Sequence, residues 1–129
     1  VIELIDFFKG KGLKLGLATS SSGLTMDLIL KGLSLEETFQ SKLNAGFVKR
    51  AKPDPELYLL SAKNLGVEPE NCLAIEDSVP GLQSAKAAGM KCVILLSKYS
   101  RNKDFSQADL VIESFAELSP KKLKELGVA

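Results

Sequence analysis

Short apolar runs recur along this chain, each followed by a longer stretch of helical spacing, and that alternation restricts its fold more than any other feature. The runs are residues 13–18 (LKLGLA), 72–75 (CLAI), 92–96 (CVILL) and 110–112 (LVI), with a weaker candidate at 41–46. Each is too short for a helix and predicts a strand. After the first run, Leu24, Leu28, Ile29 and Leu33 fall at helical spacing, interrupted by Gly32. Asp54-Pro55-Glu56 predicts a helix start, with Asp as N-cap and Pro at the first helical position. That helix runs through Leu57, Leu60 and Leu65 to a stop at Gly66. Ser78 opens another, with Pro80 tolerated in its first turn and Gly89 closing it. Residues 120–126 predict a last short helix, and Ile2, Leu4, Ile5 and Phe8 an amphipathic opening one. Strands and helices alternating over short links predict an α/β fold with a doubly wound, mostly parallel sheet. At 129 residues this is one domain.

Composition removes several function classes. Seventeen Lys and Arg against sixteen Asp and Glu leave a net charge of +1, which gives no electrostatic footprint for nucleic acid or anionic lipid. No apolar run approaches the roughly 20 residues that span a bilayer. Histidine is absent, so imidazole acid–base chemistry, catalytic triads and imidazole metal sites are not available from these residues. Chemistry must come from carboxylates, hydroxyls, Lys or the two cysteines. Cys72 and Cys92 lie in strand-like runs, lack CxxC spacing, and follow an opening without the look of an export signal. The expectation is two buried, reduced thiols in a cytoplasmic protein.

In doubly wound sheets, ligands bind beyond the carboxyl ends of the strands. Two runs end there in polar clusters. Thr19-Ser20-Ser21-Ser22 leads into a helix, whose N-terminal N–H groups and dipole can hold a phosphate. A plain helix cap explains the same residues. Glu76-Asp77 follows the second run directly, and two adjacent acids beside a buried strand repel each other. A hard cation such as Mg²⁺ would relieve that repulsion. The alternative has Asp77 capping the next helix while Glu76 points to solvent. Between the clusters, Lys52 sits in Arg50-Ala51-Lys52-Pro53-Asp54-Pro55, where the prolines stiffen the backbone around it. A lone loop Lys is ordinarily a solvated charge. Held near a phosphate and an acid pair, it would neutralise charge in phosphoryl transfer.

Three segments of this chain resemble motifs of the haloacid dehalogenase (HAD) superfamily. They are Gly16-Leu17-Ala18-Thr19-Ser20, Lys52-Pro53-Asp54-Pro55-Glu56, and Ile75-Glu76-Asp77-Ser78 through Ala85-Lys86-Ala87-Ala88-Gly89-Met90. The likeness is to the β-phosphoglucomutase and phosphoglycolate-phosphatase branch, and it reaches to about Ile112. The resemblance implies a Rossmann-like core and a Mg²⁺-dependent phosphatase or phosphomutase for a small phosphorylated metabolite. It implies a phosphate-binding hydroxyl at Thr19, assisted by the Ser20 N–H. It also implies a catalytic, phosphate-binding Lys52, Mg²⁺-holding acids at Glu76 and Asp77, and a following hydroxyl at Ser78.

One family motif is missing. The DxD that supplies the nucleophilic Asp occurs nowhere in the 129 residues, and Asp6, followed by Phe7-Phe8-Lys9 in a helical pattern, is no substitute. The resemblance therefore implies a C-terminal portion of the core domain (residues 1–129), inactive alone, whose sheet needs an N-terminal segment of the same enzyme. Too little chain lies between Ser20 and Lys52 for a cap inserted there. A non-catalytic scaffold is the alternative. A receiver-type signalling module runs acid, hydroxyl, Lys along its chain, and the order here is hydroxyl, Lys, acid pair.

Overall fold

Each predicted strand forms where an apolar run meets a polar end, and every strand pair is parallel. The computed structural model describes residues 2–19, 23–33, 35 and 37–127. Helix α1 (Ile2–Gly10) precedes β1 (Gly16–Ala18), α2 (Gly23–Gly32) and β2 (Ser41–Leu43). Helix α3 (Glu56–Leu65), β3 (Leu73–Glu76), α4 (Val79–Ala87), β4 (Lys91–Leu95), β5 (Leu110–Ile112) and α5 (Pro120–Glu125) follow. The weak run at 41–46 yields a genuine three-residue strand.

The strands form two sheets among the described residues. β1 pairs with β2, matching Gly16 with Ser41 and Ala18 with Leu43. β4 lies between β3 and β5, matching Glu76 with Ile94 and Leu95 with Ile112. Because all pairs are parallel, Ala18, Leu43, Glu76 and Leu95 come to the same ends of their strands. The edge of β1 away from β2 and the edge of β3 away from β4 carry no strand partner among the described residues.

Alternation along β4 divides the core. Cys92 and Ile94 face one layer with Tyr58 and Ala62 of α3 and Leu82 and Ala85 of α4. Val93 faces the other, with Phe8 of α1, Leu123 of α5 and Ile112 of β5. Cys92, Val93 and Ile94 are all fully buried, as a strand covered on both faces requires.

Local chemistry sets the helix ends. At Gly66, φ is +69°, a left-handed conformation that closes α3 with N–H bonds back to Ala62 and Lys63. At Gly16, a Cβ would lie 2.9 Å from Ser61 Oγ and 3.3 Å from Leu65 Cδ1, so only glycine lets β1 pack this closely on α3. Pro55, not Asp54, takes the flanking position before α3, because Glu56 is the first residue in full helical conformation. The Asp54 carboxylate still accepts the Glu56 N–H at 3.0 Å. The cysteines are both free, Cys92 buried as expected and Cys72 only half-buried.

Candidate active site

Lys52 ties the two sheets together. Its Nζ donates to the Ala18 carbonyl at the end of β1 (3.3 Å) and to Glu76 Oε2 at the end of β3 (2.5 Å). Both side chains are about nine-tenths buried, so neither is the solvated charge that an isolated loop Lys or strand-end Glu would be. Tyr58 on α3 donates its hydroxyl to the same Oε2, and its ring lies 4.9 Å from the Lys52 ammonium. Burial raises the Tyr58 pKa far above the usual phenol value, and the Glu76 carboxylate raises it further, so Tyr58 stays a donor.

The loop bearing Lys52 is held from both ends. Glu56, in the first turn of α3, accepts the N–H groups of Lys49 (2.9 Å) and Arg50 (3.1 Å) through its two carboxylate oxygens. Ser84 of α4 donates its hydroxyl to the Asp54 carbonyl at 2.7 Å. The loop is thereby bonded to α3, which packs on β1 and β2, and to α4, which packs over β3 and β4.

Glu76 is fixed on its far side by α4. A Cβ at Gly81 would stand 1.9 Å from Glu76 Oε1, so the carboxylate occupies the space a side chain would fill. Ser78 caps the helix by accepting the Gly81 N–H at 3.1 Å. The cap is therefore Ser78 and not Asp77. Asp77 is exposed at the mouth while Glu76 is turned inward, the reverse of the arrangement in which Glu76 points to solvent.

A cleft of about 810 Å³ opens here, with Leu17, Ala18 and Thr19 on one side and Ile75, Glu76 and Asp77 on the other. Lys52 lines it as well. Thr19 continues β1, its N–H bonded to the Leu43 carbonyl at 3.0 Å. Four of the five residues expected at the site, Thr19, Lys52, Glu76 and Asp77, therefore surround one cleft; Ser20 lies outside the described residues. Tyr58 and Gly81 are additions. Tyr58 reads in sequence as one more core position of an amphipathic helix, and Gly81 as an ordinary glycine. Their spacing after Lys52 and Glu76 acquires meaning only in three dimensions.

The donors suit a hard cation in kind, since Glu76 and Asp77 offer only anionic oxygen. They do not form a complete cage: no group of three or more His, Cys, Asp or Glu that could hold a metal ion occurs among the described residues. No helix among them is long and apolar enough to cross a membrane.

Comparison with known proteins places the chain in a family. YhcW of Bacillus subtilis (strain 168) is 49% identical over 110 residues, covering 85% of this chain and 50% of that protein. Hexitol phosphatase B of Escherichia coli (strain K12) is 35% identical over 124 residues, covering 95% and 56%. The crystal structure of CbbY from Rhodobacter sphaeroides in complex with phosphate superposes with a TM-score of 0.87 at 34% identity, over 92% of this chain and 54% of CbbY. β-Phosphoglucomutase from Clostridium difficile gives 0.81 at 32% identity, over 95% and 52%. The chain thus spans about half the length of the relatives it matches. The family model of haloacid dehalogenase-like hydrolases matches residues 1–89, and this chain belongs to that family.

Proposed function

We propose that these residues form the phosphate- and cation-holding part of a Mg²⁺-dependent phosphatase or phosphomutase. Its substrate is a small phosphorylated metabolite, and transfer passes through an aspartyl-phosphate whose Asp lies outside this chain. Residues 1–129 are then one portion of a core domain, inactive alone. A cytoplasmic setting accords with two free thiols. The observation that carries this reading is Lys52, buried between the Ala18 carbonyl and Glu76 at the mouth shared by Thr19 and Asp77. Phosphoryl chemistry in relatives named hexitol phosphatase B and β-phosphoglucomutase supports it.

The roles follow from charge. The Thr19 hydroxyl donates to a phosphate oxygen, with the Ser20 N–H assisting. Lys52 presents a fixed ammonium to the transferring group, where low dielectric strengthens its pull on the phosphoryl oxygens. Glu76 and Asp77 hold the cation, which when bound neutralises phosphoryl charge. Pairing with Glu76 holds the buried Lys52 side chain in the cleft.

The open edges of β1 and β3 border the same cleft. A parallel strand laid between them would satisfy both edges, and this reading assigns that place to a segment of the same enzyme bearing the Asp-x-Asp pair.

The test compares two polypeptides with p-nitrophenyl phosphate as substrate. The natural polypeptide that carries this chain with its preceding segment should hydrolyse it only with Mg²⁺, and Asp77→Asn should abolish turnover. The 129-residue chain alone should be silent. Turnover by the chain alone, lost on Asp77→Asn, would overturn the assignment of the nucleophile to another segment. Silence of both polypeptides would overturn the enzyme reading.

A further inference from the structure

We propose that Tyr58 is the positioning residue of this site, its hydroxyl setting the Glu76 carboxylate for a cation and its ring setting the Lys52 ammonium for a phosphate. The inference rests on the reading above and adds a residue to it.

The two charged side chains are poorly able to position themselves. Lys52 has a four-carbon stem with several rotatable bonds, and Glu76 has three. Tyr58 has two, and its ring is locked in the core layer with Ala62, Ala74, Leu82 and Ile94. It is only 8% exposed. From that fixed place it makes two different contacts. The hydroxyl donates to Glu76 Oε2, which also accepts from Lys52. The ring face lies 4.9 Å from Lys52 Nζ.

Those contacts have separable consequences. With two donors on Oε2 and Gly81 against Oε1, Glu76 cannot rotate without breaking both hydrogen bonds or striking α4. Its plane is set before a cation arrives, which removes an ordering cost from binding. Loss of the hydroxyl releases Glu76 but leaves the ring beneath the ammonium. Loss of the whole ring releases both. Partners that orient metal-holding side chains are typically worth 10–100-fold in metal affinity when removed.

The experiment uses the natural polypeptide that carries this chain, with Mg²⁺ and inorganic phosphate as calorimetric probes. Tyr58→Phe should weaken Mg²⁺ binding by roughly tenfold. At saturating Mg²⁺ it should leave phosphate binding within about twofold, whereas Tyr58→Leu should weaken both. In a Glu76→Ala background, Tyr58→Phe should have no further effect on Mg²⁺ binding, because its route to the cation is the Glu76 side chain. A Tyr58→Phe protein that melts earlier but binds Mg²⁺ as the parent does would show a merely structural tyrosine and overturn the inference alone. Should Tyr58→Leu fail to fold, Tyr58→Phe and the Glu76→Ala pair decide it. A parent protein that binds no Mg²⁺ would overturn this inference together with the enzyme reading.

Discussion

Gly81 and Glu76 share one volume: the Cβ that Gly81 lacks would lie 1.9 Å from Glu76 Oε1 and 2.1 Å from Cδ. The first turn of α4 therefore acts as the back wall of the carboxylate. Gly81→Ala should displace Glu76 and lower stability by about 1–3 kcal/mol, the usual range for overpacking. In a Glu76→Ala background the obstacle is gone, and the same substitution should become neutral or stabilising by up to about 1 kcal/mol, since Ala is the better helix former. Urea midpoints of the four proteins check this. An equal cost in both backgrounds would mean that Gly81 is held by something other than Glu76.

Lys52 and Glu76 should behave as a buried ion pair. Lys52→Met leaves Glu76 with Tyr58 as its remaining side-chain donor among the described residues and should cost about 3 kcal/mol. Lys52→Met combined with Glu76→Gln removes both charges and should recover most of that loss. Additive losses in denaturant unfolding would show a pair too well solvated to couple.

How much of this arrangement could be read from the chain depends on how local its cause is. The strand at 72–75 and the helix after Ser78 are visible because apolar runs, a cap and a glycine stop are each encoded within a few residues. The inward turn of Glu76 is not local. It depends on Lys52, 24 positions earlier, on Tyr58, and on the missing side chain at Gly81. Adjacent acids alone suited either a cation or a cap, and it was Ser78 that took the capping role. The split into two sheets is invisible to periodicity, which reports strands and not their neighbours, and only the resemblance, with a strand absent between those ending at Thr19 and Glu76, implies it.

The cysteines report burial through pH. Burial pushes the Cys92 thiol up to about 12, with Glu76 and Asp109 adding to the shift. Burial and Glu70 raise Cys72 as well. At pH 8, iodoacetamide should modify Cys72 slowly and reach Cys92 only on unfolding. Folding favours the protonated Cys92 thiol, so the native state holds that proton more tightly than the unfolded chain. This contribution is full below the ordinary thiol value of 9.0 and is lost as pH rises toward about 12. The fall in urea midpoint between pH 8 and pH 10.5 should therefore be smaller in Cys92→Ala. Equal falls would locate the alkaline loss elsewhere.

Hydrogen exchange should separate the two sheets. Cys92, Val93 and Ile94 are fully buried in a strand with partners on both sides. Leu17 is only half-buried, in a three-residue strand whose one described partner is equally short. Opening β1 breaks one short ladder, whereas opening β4 breaks two and exposes both core layers. In the 129-residue chain, β1 amides should exchange at least about tenfold faster than those of β4, a gap of ~1.4 kcal/mol or more in opening free energy. In the polypeptide with its preceding segment, a strand seated between β1 and β3 would give β1 a second ladder, and its protection should approach that of β4. If β1 is already as protected as β4 in the 129-residue chain, the sheets open as one unit and the cleft needs no strand to complete it. If protection is equally low in both polypeptides, the preceding segment does not lie in the cleft.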